Sequence, residues 1–190
     1  MKKDKKSIKN LLKREKQKGD IRWIVLIVIL AFCISVLFSL ISEYTLSKTG
    51  LILSLVILLV FIFIGVLFDV IGVAVTSADD APFHSMASRK IESARTAIFL
   101  KRNASKVSSI CCDVVGDICG IISGSAGIFI AAIIINNTSI DPIIVTLLIT
   151  GIISSLTIGG KALSKSYAIN NSNFILNIFS KVIHIFIKQK

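Results

Sequence analysis

Four long apolar runs divide the chain: Trp23 to Ser42, Leu51 to about Ser77, Lys106 to Asn137, and Pro142 to about Leu163. Each is long enough to cross a hydrocarbon core of about 30 Å as a helix, which takes about 20 residues. The polar positions inside these runs follow helical spacing. In the third run Ser109, Asp113, Gly116, Gly120, Ser123 and Gly127 fall at steps of four and three, on one helical face. The second carries Gly65, Asp69, Gly72 and Thr76, and the fourth carries Thr146, Thr150, Ser154, Thr157 and Lys161, at the same kind of step. Beside the stripe of the third run, Gly116, Gly120 and Gly124 recur every fourth residue, a spacing that lets two membrane helices approach closely.

Two further segments have amphipathic spacing. In residues 88–103 Ile91, Ala94, Ile98 and Phe99 are expected to face the membrane, opposite Arg89, Lys90, Arg95, Lys101 and Arg102. Residues 166–190 set Phe174, Ile175, Ile178, Val182, Ile185 and Phe186 against Asn170, Asn173, Lys181 and Lys188, and are expected along the inner leaflet. The expected fold is an all-α integral membrane protein of four transmembrane helices with amphipathic juxtamembrane helices. Residues 1–22 read as an unstructured basic cytoplasmic tail, 23–42 as an additional transmembrane helix, and 51–190 as one membrane domain.

Composition supports that class, with 54% hydrophobic and 17% charged residues and a mean hydropathy of +0.83. Charge then supplies an orientation. Lys and Arg number 22 against 11 Asp and Glu; ten of the 22 lie in the first 22 residues, and six more between Arg89 and Lys106. Such clustering is the positive-inside pattern, so the expectation is a multi-pass protein of the cell membrane, both termini cytoplasmic, facing an anionic inner leaflet. Nucleic acid is not an expected partner, because the basic tail leads straight into an apolar span and no binding module accompanies it.

Intramembrane carboxylates are the candidate chemistry. At about 1.5 Å per residue, Asp69, Asp117 and Lys161 each lie 18 residues from the outer end of their spans, near Leu51, Ile135 and Ile143. That depth, roughly 27 Å, places all three close to the inner edge of the hydrocarbon. An aspartate at the bilayer centre costs about 2.5–3.5 kcal/mol on insertion scales, so such residues call for partners. One reading has Asp69, Asp113 and Asp117, with hydroxyls of Ser109, Ser123 and Ser154, lining a shared polar cavity whose oxygen ligands suit magnesium. The other has these residues as interfacial charges reaching water, with Lys161 snorkelling on its long stem.

The order of these features resembles the membrane domain of the cyclin M and CorC-type magnesium transporters. The resemblance rests on VIGVAVTS (Val70 to Ser77), SSICCDVVGDICGIISG (Ser108 to Gly124) and GKALSKSYAINN (Gly160 to Asn171), and covers about Leu51 to Ile185. It implies a homodimer that holds a dehydrated magnesium ion through hydroxyl, backbone and amide oxygens and one carboxylate of the last span. The first helix is an addition to that pattern, and the regulatory nucleotide-binding pair of full-length relatives has no counterpart in the sequence. The carboxylate position falls on Lys161 and the signature proline on Ser164. Either charge is redistributed around a surviving ion site, or the Lys161 ammonium takes the place of the metal. The two corresponding functions are divalent-cation transport and a non-transporting scaffold or regulator.

Other chemistry finds no support in the pattern. Cys33, Cys111, Cys112 and Cys119 form no C-x-x-C pair and read as small buried hydrophobes. His84 and His184 fall in the amphipathic segments, away from any nucleophile, and the glycines form no phosphate-cradling loop. The chain is therefore not expected to be an enzyme.

Overall fold

The computed structural model describes residues 2–46 and 50–187, with side chains for 21–45 and 50–185. Its elements are α1 (Lys2–Leu46), α2 (Leu51–Ser77), α3 (Asp80–Ser88), α4 (Glu92–Arg102), α5 (Ala104–Ser108), a π-helical stretch (Ser109–Gly116), α6 (Asp117–Asn137), α7 (Pro142–Asn170) and α8 (Ser172–Ile187). No strand occurs among the described residues. Four segments, Ile21–Thr45, Leu51–Ser77, Ala104–Asn137 and Pro142–Asn170, are long and apolar enough to cross a membrane. The protein is all-α with a multi-pass architecture.

The third span is the centre of the bundle. Of its most apolar window 44% is buried, against none for the first span and 6% for the fourth. Helix α6 packs on α1, α2 and α7, and α2 packs on α7 as well. Two apolar clusters hold this arrangement. Val114, Ile118 and Ile122 meet Ile27, Ala31 and Ile34 of α1 with Phe61 of α2, while Ala126 and Ile130 meet Leu58 of α2 with Ile149 and Ile153 of α7. Outward-facing side chains of the spans remain apolar, as at Ile52, Leu147 and Leu163, which suits lipid as their solvent.

Glycine sets the distances between the helices. A Cβ on Gly65 would lie 3.1 Å from Cys119 Cβ, one on Gly160 would lie 3.1 Å from Val66 Cγ2, and one on Gly72 would collide with the Cys112 sulfur. The stripe of α2 therefore faces the third span, as its spacing implies, and takes cysteine side chains into its notches. Cys111 and Cys119 are buried and Cys112 half-buried, whereas Cys33 on α1 is exposed; all four are free thiols.

At the basic end, α3, α4 and α8 build a small second tier. Val75 and Ala78, at the end of α2, share a core with Phe83, Ala97, Leu100 and Leu176. Polar contacts fasten it: Lys101 Nζ donates to the Thr76 carbonyl at 2.8 Å, and the Asp79 N–H donates to Asn173 Oδ1 at 2.9 Å. The first places a cation at the negative C-terminal end of α2. His184 Nε2 lies 3.1 Å from Glu92 Oε2 across the α4–α8 contact.

Several expectations change here. Ala94 does not face the membrane; it is buried, and Ile98 packs against the tier core, leaving Ile91 and Phe99 exposed. The cause is packing of α4 on α3 and α8, with Ala97 and Leu100 in one core with Leu176 of α8. The fourth helix runs past Leu163 to Asn170, because Ala168 still finds buried packing there, and the last amphipathic helix begins only at Ser172. Helix α1 extends back to Lys2 through the segment that reads as an unstructured tail. Residues 188–190, the end of the last amphipathic segment, lie outside the described residues.

Candidate functional site

The charged junction lies where the small-polar stripes of three helices meet. Asp69 comes from the inner half of α2, Asp117 from the first turn of α6, and Lys161 from the stripe of α7. Lys161 Nζ is 3.1 Å from Asp69 Oδ2 and 3.9 Å from Asp117 Oδ1. Side-chain exposure grades the three, at 14% for Asp69, 31% for Lys161 and 70% for Asp117. The ammonium is thus bonded closely to the half-buried carboxylate and loosely to the exposed one.

This geometry gives the aspartate of α2 its partner. At an effective dielectric near 20, unit charges 3.1 Å apart attract by roughly 5 kcal/mol before desolvation is counted. At the inner edge of the hydrocarbon, where insertion costs less than at the centre, such a pair compensates both charges. Gly116 makes the approach sterically feasible, since a Cβ there would lie 2.9 Å from Asp69 Oδ1 and 3.5 Å from Lys161 Nζ. Lys161 thus takes as partners the two carboxylates at its own depth, Asp69 first and Asp117 second, and Asp113 takes no part.

The reason is the π-helical stretch Ser109–Gly116, which no periodicity in the sequence announces. Its wider turns break the 3.6-residue register that puts Ser109 and Asp113 beside Gly116. Asp113 is exposed, while Cys111 and Val114 turn inward. Cys112 Sγ lies 3.8 Å from both the Asp69 carbonyl and Ser108 Oγ, so the stretch also sets the contact with α2 beside the carboxylate.

The six oxygen-bearing residues expected to line one cavity are therefore distributed. Asp69 and Asp117 converge on Lys161. Asp113 and Ser154 are exposed, and Ser109 is half-buried. Ser123 is buried, but its hydroxyl donates to the Cys119 carbonyl at 2.8 Å. Thr146, Thr150 and Thr157 likewise donate to carbonyls of their own helix, an arrangement that spends the α7 stripe locally. Among the described residues no three acidic, His or Cys side chains gather as a metal-holding group.

Beside the junction opens a cleft of about 400 Å³ between α2, the π-helical stretch and α7. Val73, Ile158 and Ala162 give it apolar walls, and Asp69, Lys161 and Lys165 reach it as charged groups. Lys165, one turn beyond Lys161, is the functional candidate that depth counting from the stripe alone passes over; the i, i+4 pair of lysines is its signal in the sequence. Trp23 marks the same end of the bundle, with Lys106 Nζ 4.8 Å from its ring centroid. No protein-family model, curated protein or solved structure matches this chain.

Proposed function

We propose that this protein handles a divalent cation, with magnesium the first candidate, at the carboxylates of Asp69 and Asp117, and that Lys161 holds them when no ion does. The observation that carries this reading is the position of one cationic atom between carboxylates of two different helices. Magnesium commonly keeps several waters and binds through one or two carboxylates, so Asp69 and Asp117 suffice for a hydrated ion. The adjoining cleft gives Lys161 room to withdraw on its flexible stem. The resemblance to the cyclin M and CorC-type transporters implies the same class of substrate. In this reading the protein is a homodimer in the cell membrane, with both termini in the cytoplasm.

A second reading rests on the satisfied hydroxyls. Because Ser123 and the α7 threonines bond to their own helices, few neutral oxygens join the carboxylates, and a permanent Lys161 pairing gives a non-transporting scaffold or regulator. Magnesium titration of the unfolding midpoint separates the two. Under the cation reading the wild type gains stability, by about 2.7 kcal/mol at an ion concentration 100 times Kd. Asp117→Asn then abolishes most of the gain, and Lys161→Glu enlarges it by removing the competing ammonium. A wild type indifferent to magnesium, calcium and manganese, and moving no ion in liposomes, leaves the scaffold.

A further inference from the structure

The cleft beside Lys161 contains more positive charge than the junction uses. Asp69 is its acidic wall residue, yet both Lys161 and Lys165 reach it, and among the described residues Lys165 has no carboxylate within ion-pair distance. The rest of the lining is largely apolar, with Val73 from α2 and Ile158 and Ala162 from α7. A soluble anion gains little from such walls. A phosphate carrying acyl chains matches both parts.

Depth agrees with that match. Lys165 stands 22 residues from Ile143, roughly 33 Å along the helix, just past a hydrocarbon core of about 30 Å. Phospholipid phosphates lie at that level, and basic pockets between transmembrane helices on the cytoplasmic side bind anionic headgroups. Ser164 is neutral and its hydroxyl donates to the Lys161 carbonyl at 2.9 Å, so it leaves the positive charge of the two lysines uncompensated.

We infer that the α2–α7 cleft is a binding site for an anionic phospholipid, its headgroup phosphate held by Lys165 with Lys161 and an acyl chain lying along Val73, Ile158 and Ala162. The phosphate shares Lys161 with the carboxylate junction, but Lys165 takes no part in that junction, so a change at Lys165 tests the lipid without removing the Lys161 pairing to Asp69.

The experiment is native mass spectrometry of the full chain from a neutral detergent, titrated with phosphatidylglycerol, phosphatidylcholine or inorganic phosphate, for wild type, Lys165→Gln and Lys181→Gln. Lys181 is an exposed lysine of α8 and serves as the control. The wild type should retain phosphatidylglycerol in preference to phosphatidylcholine, and Lys165→Gln should weaken that retention about fivefold, the worth of one lysine near an anionic surface. Lys181→Gln should retain it as the wild type does. Equal losses in the two variants, or no preference for the anionic lipid, overturn the site. Inorganic phosphate bound as well as the lipid, with the same dependence on Lys165, overturns the lipid assignment in favour of a soluble anion.

Discussion

Gly116 leaves the space that the Asp69 carboxylate occupies: a Cβ at residue 116 would stand 2.9 Å from Asp69 Oδ1. The contact ties the central helix to the ion pair without contributing any charge. Replacing Gly116 by Ala should shift the carboxylate by a few tenths of an ångström and loosen its pair with Lys161, costing about 1 kcal/mol, the scale of one weakened hydrogen bond. The measurement is the unfolding midpoint in a mild detergent. In an Asp69→Asn background the same substitution should cost much less, because the pair is already gone. Equal costs in both backgrounds would mean that Gly116 serves backbone packing alone.

Much of this arrangement could be read from spacing. Gly65, Asp69 and Gly72 mark the face of α2 that meets the third span, and Lys161 stands at the depth of Asp69 and Asp117, since both facts follow from regular helical geometry. Asp113 could not be placed, because the π-helical stretch changes the register within two turns of it. Ala94 was misread for a different reason. Its helix has one amphipathic pattern, and whether the apolar side meets lipid or α8 depends on a helix some 80 residues later in the chain. The hydroxyl stripe of α7 carries a similar ambiguity, since a serine or threonine that can serve a ligand can equally bond to the carbonyl four residues back.

Lys90 has φ of 61°, in the left-handed region, at the turn between α3 and α4. There the Ile91 N–H bonds to the Met86 carbonyl at 3.2 Å and the Lys90 N–H to the Ala87 carbonyl at 3.0 Å, a C-terminal cap that ordinarily takes glycine. Lys90→Gly should therefore stabilise the basic tier by about 1 kcal/mol, through relief of left-handed strain. A rise of a few degrees in the unfolding midpoint is the expected result. A fall would show that the lysine side chain contributes more there than the backbone strain costs.

Orientation can be checked at two exposed positions at the end of the bundle opposite Lys161 and Lys165. Gly50 precedes α2 and Thr138 follows α6, and both are exposed. In a background without the four native cysteines, Gly50→Cys and Thr138→Cys should react with an impermeant maleimide in intact cells. Cysteines placed at Ser88 and Ser105, on the basic side, should react only after the membrane is opened. The reverse labelling pattern would invert the orientation and contradict the positive-inside reading of the basic segments.

The remaining glycines address oligomeric state. A Cβ on Gly120 or Gly124 would meet nothing within 4 Å in the protomer, in contrast to Gly65, where it would press on Cys119. A close-packing ridge that its own subunit leaves open suits a second copy of the chain, and a homodimer through α6 would bring two Gly120–Gly124 ridges together. Leucine at Gly120 or Gly124 should then convert dimer to monomer in nanodiscs, with protomer unfolding changed little. Leucine at Gly65 should instead destabilise the protomer itself by about 1–3 kcal/mol, the usual cost of overpacking. Crosslinking and mass photometry of wild type, Gly65→Leu, Gly120→Leu and Gly124→Leu separate the two effects, because one set of variants loses assembly and the other loses stability. A wild type that is monomeric at every protein-to-lipid ratio would remove the dimer, and a dimer indifferent to leucine at both Gly120 and Gly124 would move its interface to another helix.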